Sequence, residues 1–181
     1  MPDITFGDRY AVTVGDQSLD LYYFGPSHGD CLTVFVARSA KLIQLVDLVN
    51  PPGASFPKDP RVPYVRPHNL RQFFGEVSTL IDSDGITHVA SSRAEAIELD
   101  DGSAGLSPTL GDAEIVKQQA QFWNEIYGTV EIARAEKRVG IDSMVRLKKD
   151  EYAIFEKYLD YNRDDLPLIL RRFTGFYDMG R

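Results

Sequence analysis

The sequence predicts an α/β or α+β domain in which helices cover a sheet. Three observations carry that expectation. The N-terminal residues 10–49 read as successive strands, one further strand-like run stands at 86–90 between two helical segments, and the rest of the chain is helical in period. At 181 residues the chain fits one domain, 1–181, with a core of its own.

The first strand is expected at 10–14 (YAVTV), where apolar and polar residues alternate up to the turn signal Gly15-Asp16. The second, 19–24 (LDLYYF), stops at Gly25-Pro26. Two nearly continuous apolar runs follow, 31–37 (CLTVFVA) and 42–49 (LIQLVDLV), a pattern expected of strands covered on both faces. Six prolines between 50 and 67 make that stretch an extended loop, because proline removes a donor and fixes φ. Leu70, Phe73, Phe74, Val77, Leu80 and Ile81 then mark one helix face, ended by the turn at 82–85. A short strand is expected at 86–90 (ITHVA) and a polar surface loop at 98–111. Asp112 is placed as the N-cap of a long helix carrying Ile115, Phe122, Ile126, Val130 and Ala133 on one face. Tyr152, Phe155 and Leu159 mark another helix, and Asp165 with Pro167 opens a last short one.

Apolar residues make up 43% and charged residues 26% of the chain, an ordinary globular balance. A net charge of −7 argues against nucleic acid or an anionic membrane as a partner, since both reward a basic face. A single cysteine, Cys31, excludes an intrachain disulfide. The N-terminus lacks the basic and apolar regions of a secretory signal, and no apolar run approaches the length of a membrane span. A cytoplasmic location is therefore expected.

The segment Pro2-Asp-Ile-Thr-Phe6, followed by Phe24-Gly-Pro-Ser-His28 and Leu42-Ile-Gln-Leu-Val-Asp47, resembles the middle of metallo-β-lactamase-fold hydrolases. The later helix, strand and long helix fit the same pattern. The resemblance implies half of an αββα sandwich: a mixed sheet with helices on one face, corresponding to the C-terminal half of that fold. It implies His28 and Asp47, nineteen residues apart, as the family's pair of metal ligands. It also shows what is altered. The family's His-x-His-x-Asp-His motif belongs to the N-terminal half and is absent, the histidines being His28, His68 and His88. Ser91-Ser92 stands where the last ligand's Gly-His would be, and Gly29-Asp-Cys-Leu32 replaces Thr-x-Gly-Asp.

Hydrolytic zinc takes three or four protein ligands and an open position for water. His28 and Asp47 supply two. Asp30 and Cys31 lie close in sequence, but neighbouring residues on a strand point to opposite faces, so they do not all converge. The plain alternative is that His28 and Asp47 only bond loop backbone. Cys31 reads as a small hydrophobe opening a strand, His88 as a core or edge residue and His68 as an exposed helix start. No catalytic residue is assigned, and no cofactor is expected beyond a weakly held divalent metal at His28 and Asp47. The expected function is a non-hydrolytic pseudoenzyme that binds a small molecule or a partner. The competing readings are a metal-dependent hydrolase completed by another chain and a metal-independent enzyme that reuses the cleft. The apolar runs 31–37 and 42–49 leave one sheet face in need of a cover, which predicts a homodimer with the two sheets stacked.

Overall fold

In the computed structural model, residues 3–49, 51, 66–94, 96–140, 144–158, 164 and 166–179 are described. A six-stranded sheet forms from β1 (Arg9–Val14), β2 (Gln17–Tyr22), β3 (Val34–Ala37), β4 (Leu42–Gln44), β5 (His88–Ala90) and β8 (Leu110–Asp112), in the order β1-β2-β3-β4-β5-β8. Neighbours are antiparallel except β4 and β5, which run parallel. A parallel pair needs a crossover, and α1 (Pro67–Asp84) lies within it. The strands β6 (Ala96–Glu98) and β7 (Ala104–Leu106) form a separate hairpin. Helices α2 (Glu114–Ala135), α3 (Lys149–Phe155) and α4 (Leu166–Met179) complete the chain.

Alternation decides which sheet face meets the helices. Val36 sits opposite Ile43, and Ile43 opposite Val89, so these side chains share a face with Val34 and Leu45. All five are fully buried in one cluster with Leu70, Phe73 and Val77 of α1 and Phe122, Ile126 and Val130 of α2. The helix faces read from the sequence are the ones the core uses. Helix α1 begins at Pro67, whose missing N–H costs nothing at a first turn, and ends at Gly85, whose φ of 60° suits a left-handed cap.

Several expectations are corrected. The run 98–111 is not a featureless loop: it contributes β7 and the edge strand β8, held by pairing with β6 and β5 rather than by any pattern of its own. Residues 31–33 and 45–49 lie outside the strands; Leu45 donates once more to the Ala90 carbonyl, at 3.0 Å, before the chain turns away. Asp112 is the last residue of β8, and its carboxylate accepts the Glu114 N–H at 2.8 Å, one position ahead of the helix cap Ala113. Helix α4 spans 14 residues and is not short. Cys31 is exposed in a turn, and His88 is exposed on β5 beside Thr87, since its side chain points away from the helices. Glu151, in the first turn of α3, forms a two-pronged pair with Arg138, at 2.9 and 2.6 Å. Leu159 and Asp165 lie outside the described residues.

Candidate functional site

Strands β2, β4 and β5 run in the same direction, because β3 is antiparallel to both β2 and β4 and β5 is parallel to β4. Their carboxyl ends therefore lie on one side of the sheet, the side where ligands bind in α/β architectures. The loop after β2 carries His28, the turn after β4 carries Asp47, and the segment after β5 carries Ser91, Ser92 and Arg93.

The His28 loop is tied to the start of α1. Asn69 Nδ2 donates to the Phe24 carbonyl at 2.8 Å, and the Arg66 N–H donates to the Ser27 carbonyl at 2.6 Å. Gly25, at φ 83°, admits this approach: a Cβ there would lie 2.7 Å from Asn69 Nδ2. Arg66 Nε reaches Asp30 Oδ1 at 3.0 Å, and the Tyr23 hydroxyl donates to the Asp30 carbonyl at 2.8 Å. Beneath the loop Ser27 is fully buried, and its Oγ has no hydrogen-bond partner among the described residues.

Asp47 has φ 61°, in the left-handed region that a residue other than glycine enters at a cost. Its carboxylate stands between two partners. His28 Nδ1 lies 3.9 Å from Oδ2, while Arg93 Nε lies 2.7 Å and Ser92 Oγ 3.4 Å from Oδ1. Ser91 bends the following segment: its N–H bonds to the Thr109 carbonyl at 2.9 Å and its Oγ donates to the Arg93 carbonyl at 2.8 Å. Burial holds the His28 imidazole below its ordinary pKa; Asp47 pulls it up, and Arg93 and Arg66 push it down. The local field at His28 thus contains two guanidinium groups against the nearest carboxylate.

The two ligands implied by the resemblance, His28 and Asp47, are brought together. The other histidines are not: His68 is exposed at the start of α1 and His88 on β5. Asp30 is engaged with Arg66, and Cys31 is exposed. Among the described residues no three His, Cys, Asp or Glu side chains gather where they could share an ion. These residues do not fit a hydrolytic zinc centre. Two donors are present, and a cation, Arg93, already sits on the carboxylate that a metal would need.

Arg93 is the site residue that sequence reasoning passed over. Its signal was adjacency: it directly follows Ser91-Ser92, the pair that the resemblance sets where Gly-His would be. Arg66 was masked in the same way by its neighbour Pro67, which reads only as a helix start.

No protein-family model matches the chain, and no curated protein matches it in sequence. Solved structures do match. A metallo-beta-lactamase family protein from Thermus thermophilus is 13% identical, with 99% of this chain and 50% of that chain covered and a TM-score of 0.50. A metallo-beta-lactamase from Pontibacter korlensis is also 13% identical, with 68% of this chain and 49% of that one covered and a TM-score of 0.48. The chain spans about half the length of each of these structures. Likeness at this identity concerns the fold. The mixed six-stranded sheet with its four helices is a metallo-β-lactamase-like half fold.

Proposed function

We propose that the protein is a non-hydrolytic, metallo-β-lactamase-like binding protein that holds a small ligand or partner at the His28–Asp47–Arg93 cluster and works as a homodimer. The observation that carries this reading is the Arg93 guanidinium 2.7 Å from Asp47. A guanidinium supplies positive charge but no open coordination position, so it does not convert bound water into hydroxide near neutral pH. The test is turnover of lactam and thioester substrates by homogeneous protein supplied with zinc. No chelator-sensitive hydrolysis is expected; robust chelator-sensitive turnover by the chain alone would overturn the reading.

Support for the homodimer comes from the sheet face opposite the helices. Tyr10, Leu21 and Phe35 are in register across β1, β2 and β3 on that face, and all are only partly buried. Val12, Leu19 and Leu110, on the same face, are 40%, 37% and 53% exposed. Stacking two such faces would rebuild a four-layer sandwich with an apolar interface on the order of 2,000 Å² in total. Light scattering at micromolar concentration should return twice the mass of the chain. A stable monomer would remove the dimer from the proposal.

A second reading is a metal-dependent hydrolase whose site is completed by another chain. The sheet face left open among the described residues favours it. It predicts tight zinc binding only when a polypeptide bearing His-x-His-x-Asp-His is added, whereas the first reading predicts a self-sufficient dimer.

A further inference from the structure

The half-buried Asp47 and the exposed Arg93 form more than a surface ion pair. Exposed pairs contribute little by themselves. Here, however, the carboxylate is 21% exposed, is held on a left-handed backbone, and lies where three loops meet at the carboxyl ends of β2, β4 and β5. Asp47 grips Arg93 through Nε, on one edge of the guanidinium. The closest approach is through Nε, and the side chain, which ends in the Nη1 and Nη2 edge, is 68% exposed. That edge is the end-on fork whose two parallel N–H groups match the two oxygens of a planar anion. His28 flanks the opposite oxygen of the same Asp47 carboxylate.

We propose that the outer edge of Arg93, with His28 alongside, is a receptor for the carboxylate group of a small monoanionic ligand. The inference rests on the reading of this cluster as a binding site and specifies its ligand class. A cation is disfavoured because Arg93 already occupies the carboxylate side. A phosphate dianion is disfavoured because Asp47 offsets part of the Arg93 charge and the second guanidinium, Arg66, is engaged with Asp30. A monoanion needs only the one guanidinium edge. The His28 ring, beside the other oxygen of Asp47, adds a hydrogen-bonding group next to the guanidinium.

The test follows the Arg93 Nε–H and His28 ring signals by ¹H–¹⁵N NMR while sodium acetate is added to the full chain at constant ionic strength. Inorganic phosphate serves as the second probe. Saturable shifts of both residues are expected with acetate and weaker ones with phosphate. Arg93→Gln should lose about tenfold or more in acetate affinity, the scale of a charge-assisted hydrogen bond. Arg93→Lys, which keeps the charge without the fork, should recover only part of that loss. No saturation with acetate, saturation unchanged in Arg93→Gln, or tighter binding of phosphate would each overturn the inference. Zinc added to the same sample separates the two levels. A stoichiometric zinc complex through His28 would overturn the proposed function and this inference with it. A missing acetate response with no zinc bound would overturn the inference alone.

Discussion

The two faces of the six-stranded sheet are made by the same strands, yet they occupy opposite environments. On one face Val34, Val36, Ile43 and Val89 are sealed under α1 and α2. On the other, Tyr10, Leu21, Phe35 and Leu42 alternate with them along the strands and stay partly open. Both faces carry large apolar side chains, although the open one also bears Gln44, His88 and Asp112, so those apolar residues alone do not distinguish them. What distinguishes them is whether an element of the described chain packs there. The proposed dimer rests on the apolar part of this open face.

Neighbouring residues on β4 give the sharpest contrast. Ile43 points into the core and Leu42 away from it. Ile43→Ala should cost about 2–5 kcal/mol, from lost transfer energy and the cavity left behind. Leu42→Ala should cost well under half as much at protein concentrations that dissociate any dimer. Denaturant unfolding of both variants measures the difference, and equal costs would mean that the open face is sealed within a single chain.

Phe35→Glu addresses the open face directly. A charge placed in a stacked-sheet interface should weaken self-association by about a hundredfold or more, while leaving the monomer's circular dichroism unchanged. Sedimentation velocity of wild type and variant reads this. Self-association unchanged by Phe35→Glu would move the dimer contact elsewhere.

The buried face has a charged boundary at Asp20. It is 5% exposed and is paired with Arg9 at 3.0 Å and with Arg38, which also holds Asp84 at the end of α1 at 2.7 Å. Asp20→Ala should destabilise the chain by about 2 kcal/mol, because it removes the shared partner of two arginines. Thermal unfolding tests this, and a loss near zero would show the pairs to be solvent-screened.

At the site the expected effects are smaller. Asp47→Asn keeps a residue type that tolerates positive φ, whereas Asp47→Ala adds about 1 kcal/mol of backbone cost. The two variants compared by chemical denaturation separate backbone strain from the loss of charge toward Arg93. The smallest effect is on pH dependence. The His28 pKa lies below 6.5 in the folded chain, so the unfolded chain takes up the proton first as pH falls. Its contribution is complete above pH 6.5 and is lost on descending through the folded value. Replacing His28 with Gln should therefore reduce the stability difference between pH 7.5 and the acid side of that window.

The helices and the central strands were legible in the sequence because each carries its own periodic signal: Leu70, Phe73, Phe74 and Val77 on α1, Ile115, Phe122 and Ile126 on α2, and the alternating run before Gly15-Asp16. The fold resemblance was legible in short motifs along the chain, and it was the resemblance that singled out His28 and Asp47, which the structure places 3.9 Å apart. Strand β8 was not, since three residues hold no measurable period and β8 is a strand only because β5 lies beside it. Arg93 at Asp47 was not legible either. A long-range ion pair depends on which loops leave the same end of the sheet, and that follows from the parallel pairing of β4 with β5. The sequence by itself determined which residues are apolar and at what period. Only the tertiary structure decided which sheet face the helices cover and which cation meets Asp47, because both depend on contacts between segments that carry no mutual signal along the chain.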